Sequence, residues 1–113
     1  QRLRKLVLGS NRFQRFPGPI LELYNLEELL LQYNQISSIP ADISMLSNLK
    51  IVNLNYNLLQ QLPREIGDLK NLLSFSVSSN VLTDIPAELK DLYRLGRLAA
   101  ENNSMVRKDS RVQ

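Results

Sequence analysis

Residues 49–71 read LKIVNLNYNLLQQLPREIGDLKN, and the two halves of this stretch keep different periods. In the first half Leu49, Val52 and Leu54 lead to Asn57. In the second, Leu59, Leu62, Pro63, Ile66 and Leu69 recur at intervals near three or four. Alternation at two suits a strand, whereas spacing at three or four suits a turn of helix or 3₁₀ helix. Proline fits the start of such a turn, where its missing N–H goes unused. The stretch reads as a short strand followed by a short helical turn.

The same unit recurs on both sides. Leucine stands at Leu3, Leu26, Leu49, Leu72 and Leu95, and asparagine at Asn11, Asn34, Asn57, Asn80 and Asn103. Proline stands at Pro17, Pro40, Pro63 and Pro86. Three residue types share one 23-residue interval in fixed phase, and such a period marks a repeat architecture. Units begin at residues 3, 26, 49, 72 and 95, within one domain over 1–113. The fifth is incomplete: Ala100 replaces a larger residue, and Lys108 and Asp109 stand where an apolar residue and proline are due. The charged tail from Arg107 to Arg111 reads either as a fraying terminal coil or as the exit into another segment. Leu3 already belongs to a repeat with no polar cap ahead of it, so the chain is expected to be a fragment, or its first coil to be covered.

The L-x-x-L-x-L-x-x-N half resembles the leucine-rich repeat family. The L-P-x-x-I-x-x-L half is similar to its intracellular, Ras-binding-scaffold-like group. The resemblance spans residues 1–105 and implies an α/β repeat solenoid of about five repeats. Parallel strands would line the concave side of a horseshoe segment, with short helical or 3₁₀ turns on the convex side. Physical reasoning supports this fold independently. One unit cannot close a core alone, so neighbours must stack. Each supplies about seven apolar positions, and full burial contributes roughly 1.5–3 kcal/mol per side chain before entropy is counted. The asparagines Asn11, Asn34, Asn57, Asn80 and Asn103 are assigned a structural role: an amide donates to one unpaired backbone group and accepts from another where the chain turns out of the strand.

Composition narrows function. The chain has 113 residues, a formal charge of +3, and neither cysteine nor histidine. Cys/His zinc sites, thiol nucleophiles, Ser-His-Asp triads and histidine acid–base chemistry are thereby excluded. Four glycines form no phosphate loop, and no cofactor or enzymatic activity is expected. No apolar run approaches the roughly 18–20 residues of a membrane span, nothing reads as a signal peptide, and an intracellular, cytoplasmic location is expected. Residues 1–21 hold five basic and no acidic side chains, residues 22–92 four and nine, and residues 93–113 five and two. A nucleic-acid reader carries a continuous basic stripe with aromatics in it. Here Tyr33 and Tyr56 lie in the acidic middle, which argues against nucleic acid. The sequon Asn102-Asn103-Ser104 reads as accidental, because Asn103 belongs to the internal row.

Residues between the inward leucines are expected to face outward in rows. The candidate partner-binding set is Glu28, Leu30, Gln32, Tyr33, Ile51, Asn53, Asn55, Tyr56, Ser74, Ser76, Ser78 and Arg97. Tyrosine offers area and a polar tip at low entropic cost and is favoured in binding hot spots, though stacked tyrosines also pack on each other along a sheet. Arg4, Glu27 and Lys50 alternate in sign across neighbouring strands, and Lys5 stands opposite Glu28, so these charges are expected to pair. The serines are expected to keep an exposed face soluble. Five strands at roughly 4.8 Å span about 20 Å, giving a patch of order 400 Å², against roughly 800 Å² per partner in a standard interface. Additional repeats or flanking domains are expected to take part. Two functions fit: a protein-interaction scaffold or adaptor, or a regulatory module of a larger signalling enzyme such as a Roco-type GTPase, kinase or cyclase. The family resemblance implies a small GTPase or a phosphatase subunit as partner.

Overall fold

A computed structural model describes residues 2–105; the charged tail Arg107–Arg111, with Lys108 and Asp109, lies outside them. Five three-residue strands alternate with four five-residue 3₁₀ segments. The strands are β1 (Lys5–Val7), β2 (Glu28–Leu30), β3 (Ile51–Asn53), β4 (Ser74–Ser76) and β5 (Arg97–Ala99). The 3₁₀ segments are η1 (Gly18–Glu22), η2 (Ala41–Met45), η3 (Arg64–Asp68) and η4 (Ala87–Asp91). All strands are parallel, in the sheet order β1-β2-β3-β4-β5. Glu28 pairs with Ile51 and Leu29 with Val52. Residues 23 apart therefore sit over one another.

The choice of 3₁₀ over α follows from a strict spacing of three. Ile43 N–H donates to Pro40 C=O, Leu46 to Ile43, and Leu49 to Leu46; the other coils repeat this chain of bonds. A 3₁₀ helix has three residues per turn, so positions i and i+3 eclipse and line one edge. Pro40, Ile43, Leu46 and Leu49 form that edge, and the last three are buried. Proline stands one residue ahead of each 3₁₀ segment, in extended conformation, and supplies the first carbonyl. The segments pack closely: a Cβ on Gly67 would lie 2.7 Å from the backbone oxygen of Glu88, so only glycine fits between η3 and η4.

The core runs the length of the stack, with Leu26, Leu29, Leu31, Ile36, Leu46, Leu49, Leu59, Leu69, Leu72 and Phe75 fully buried. It thins at the ends. Leu98, the inward residue of β5, is 46% exposed, whereas Phe75, its partner in β4, is 0% exposed.

Candidate functional site

Each strand is short because the chain abandons alternation three residues after it. Leu54 points in, Asn55 and Tyr56 point out, and Asn57 points in again. The break is made by a left-handed residue. Ser10, Tyr33, Tyr56, Ser79 and Asn102 have φ of 57°, 60°, 59°, 57° and 59°. Asparagine visits this region readily, and a tyrosine there is an outlier that costs roughly 1–2 kcal/mol.

The reversal turns the next asparagine inward, where it fastens the preceding coil. Asn57 Nδ2 donates to Leu31 C=O (3.0 Å) and Leu54 C=O (3.1 Å), while its Oδ1 accepts from Ile36 N–H at 3.0 Å. Asn34, Asn80 and Asn103 make equivalent bonds to the coil before them. Asn11 differs from the sequence expectation. It is exposed and bonds to Leu8 and Gly9 of its own coil, because among the described residues no coil precedes it. The internal row is therefore Asn34, Asn57, Asn80 and, half-buried, Asn103.

A second asparagine row escaped the sequence reading although it keeps the same 23-residue interval. Asn48 Nδ2 donates to Tyr24 C=O and Asn71 Nδ2 to Ser47 C=O, both at 3.0 Å, and Arg94 donates to Asn71 Oδ1. These amides join coils at the corner between 3₁₀ segment and strand.

The outward side chains of the strands are Glu28 and Leu30, Ile51 and Asn53, Ser74 and Ser76, and Arg97 and Ala99, aligned by strand register. Gln32, Asn55, Ser78 and Glu101 continue the face beyond the strand ends, followed by the left-handed row. The inter-coil ladder persists there: Tyr33 N–H donates to Asn55 C=O, Tyr56 to Ser78, and Ser79 to Glu101, at 2.9–3.0 Å. The tyrosines thus lie on the turn at the rim of the strand face. Their rings stack, with centroids 4.5 Å apart and planes 7° apart, and both residues are about half exposed.

Two expectations are corrected. Ser76 and Ser78 are buried, at 7% and 9% exposure, so these serines do not form a solvated face. Short side chains between longer neighbours do not reach the surface, and Ser78 is further engaged by Asn55 Oδ1 at its N–H (2.7 Å) and by Glu101 Oε1 at its hydroxyl (2.7 Å). The sequon acceptor Asn102 is exposed even though Asn103 is turned inward, so the placement of Asn103 does not shield it. Leu30 and Ile51 are half-buried. Gln32 lies against Gly9, where a Cβ would stand 3.2 Å from its Cδ, and its Oε1 is buried without a hydrogen-bond partner among the described residues.

The charged rows pair across strands. Glu27 meets Arg4 at 3.8 Å and Lys50 at 3.7 Å, and Lys5 meets Glu28 at 3.9 Å. All are solvent-accessible, and such pairs contribute about 0–1 kcal/mol each. The surroundings of Glu101 shift its titration. Its own backbone N–H, followed by the Ser78 hydroxyl, holds its carboxyl below the usual carboxylate range.

A family described as "Leucine rich repeat" matches residues 1–59 and 24–82. The chain belongs to the leucine-rich repeat family. Leucine-rich repeat domains generally mediate protein–protein interaction and are typically not enzymes. No curated protein matches the chain. Among solved structures, the leucine-rich repeat protein LIC12759 of Leptospira interrogans is 31% identical, with a TM-score of 0.62; the match covers 97% of this chain and 40% of that one. The leucine-rich repeat ectodomain of the receptor kinase SOBIR1 from Arabidopsis thaliana is 30% identical with a TM-score of 0.78, covering 90% and 58%. Internalin C2 of Listeria monocytogenes, at 23% identity, shares the fold with a TM-score of 0.83, covering 95% and 46%. The chain thus spans about 40–58% of the length of these relatives. Among the described residues no helix is long and apolar enough to cross a membrane.

Proposed function

We propose that the chain is a protein-interaction scaffold whose partner docks on the concave strand face and its tyrosine-bearing rim. The observation that carries this reading is the Tyr33–Tyr56 pair. Each ring sits on a left-handed residue costing roughly 1–2 kcal/mol, whereas one stacked pair returns about 0.5–1.5 kcal/mol. The strain belongs to the turn, since Ser10 and Ser79 bear it too, so all that the rings add to the fold is this small stacking gain. Exposed aromatics that add so little to the fold fit recognition. Around them Glu28, Leu30, Gln32, Ile51, Asn53, Asn55, Ser74 and Arg97 form a mixed apolar and polar surface, to which Ser76 and Ser78 add little side-chain area.

The L-P-x-x-I unit supports an intracellular scaffold of the Ras-binding type, with a small GTPase or a phosphatase subunit as partner. An area near 400 Å² implies weak binding alone, completed by further repeats or flanking domains. A module of a larger signalling enzyme is the second reading, favoured by the resemblance to the ectodomain of a receptor kinase.

The test is capture from lysate by the natural chain and by the double variant Tyr33→Ser, Tyr56→Ser, alongside thermal melts. Serine already occupies this turn at Ser10 and Ser79, so the variant folds with a loss of no more than about 1.5 kcal/mol, the worth of the ring stack, and partner recovery falls. Equal recovery of the same partners by both proteins removes the rim from the interface.

A further inference from the structure

The left-handed row reads Ser10, Tyr33, Tyr56, Ser79, Asn102. Its members share one backbone conformation and are joined by the inter-coil ladder, so their side chains leave the turn in parallel, one coil apart. Each tyrosine ring covers one face of the other. The second face of Tyr33 looks toward Ser10 and that of Tyr56 toward Ser79. A hydroxymethyl group is too short to cover either ring.

These two open ring faces differ in charge. Residues 1–21, around Ser10, carry five basic and no acidic side chains. Beside Ser79 stands Glu101. Its backbone C=O accepts the Ser79 N–H at 2.9 Å, and its Oε1 accepts the Ser78 hydroxyl at 2.7 Å. The second bond draws the carboxylate back from the fifth coil to Ser78 in the fourth, the residue before Ser79. A carboxylate has about four acceptor positions, so beside its own backbone N–H, the Ser78 hydroxyl and the nearby charge of Arg97 it keeps acceptor capacity for a further donor. Like any glutamate it is anionic near neutral pH.

A flat cation satisfies both walls of this notch. Guanidinium stacks on a tyrosine face and forks onto a carboxylate. An ammonium pairs with the carboxylate without stacking, and a neutral ring stacks without pairing. We propose that the notch bounded by the Tyr56 ring, Ser79 and the Glu101 carboxylate receives an arginine side chain of a protein partner. The chain makes a similar contact itself, with the Arg94 guanidinium 5.6 Å from the ring centroid of Tyr93. This proposal rests on the reading of the strand face and its rim as the partner-binding surface.

The experiment titrates acetyl-arginine amide, acetyl-lysine amide and acetyl-tyrosine amide into ¹⁵N-labelled chain, following the amides of Tyr56, Ser79 and Glu101. Arginine amide is expected to shift all three and to bind about two- to fivefold tighter than lysine amide, the range of an exposed cation–π contact. Glu101→Gln removes the preference. Ser79→Tyr fills the space in front of Tyr56 and abolishes the shifts, and its amide spectrum reports whether it is folded. Equal binding of lysine amide, tighter binding of tyrosine amide, or an arginine preference that persists in Glu101→Gln overturns the notch. If the notch fails while the double tyrosine variant still loses its lysate partner, the rim stands and only the arginine assignment falls. If arginine amide binds as expected while lysate recovery is unchanged in that variant, the notch stands and the wider surface reading falls.

Discussion

Tyr56 and Asn57 are neighbours in one turn and opposites in every physical respect. Asn57 is 4% exposed and ties two coils together through both ends of its amide. Tyr56 is 50% exposed, occupies a left-handed backbone and touches the preceding coil through a ring face. One residue stabilises the stack, and the other adds to it only its share of a ring contact worth about 0.5–1.5 kcal/mol. The contrast teaches that the turn divides its duties at a single peptide bond, the inward half holding coils and the outward half offering a surface.

The sharpest way to break this contrast is Asn57→Ala. It leaves the buried Ile36 N–H without its partner, while Leu31 C=O and Leu54 C=O keep Asn34 and Asn80 as donors, and should destabilise by about 1–3 kcal/mol. Asn11→Ala, at the exposed end of the same row, should change stability by less than about 0.5 kcal/mol. Equal melting shifts for the two would contradict the stapling role. Tyr56→Asn comes next. It keeps a residue suited to positive φ, as Asn102 is, so stability should move by no more than about 1 kcal/mol in denaturant unfolding while partner binding falls. A loss well above that would make the ring a structural element after all. Smaller still is Glu27→Gln, which removes two accessible ion pairs and should cost less than about 1 kcal/mol, with the difference shrinking as salt rises.

Acid offers a reversible version of the same comparison. The Glu101 carboxyl titrates below the usual range. Whatever it contributes to folding or binding is therefore present above that range and lost as pH falls through its lowered value. Arginine-amide binding should follow this loss in the natural chain and be flat with pH in Glu101→Gln. An unchanged pH profile in the variant would take Glu101 out of the site.

Much of this was legible in the residues themselves. The interval of 23 gave the strand register, and the inward positions gave the core, because both depend on periodicity alone. The burial of Ser76 and Ser78 was not legible, since it depends on the lengths of Asn53, Asn55 and Glu101 around them. Nor was positive φ at Tyr33 and Tyr56, because tyrosine does not advertise it; only Asn102, at the end of that row, is a residue suited to it. Asn25, Asn48 and Asn71 were visible at the right interval but eclipsed by the more regular row beginning at Asn11. The role of Glu101 needed the bond that bends it back to Ser78.

Five residues as different as serine, tyrosine and asparagine share one φ within 57–60°. Backbone geometry at this corner is thus dictated by the stack, and the side chain hung there is interchangeable, β-branched types being the ones shut out. A rack of equally spaced hooks results. Its holdings can be rewritten one hook at a time, and new specificities become reachable by single exchanges that leave the scaffold itself alone.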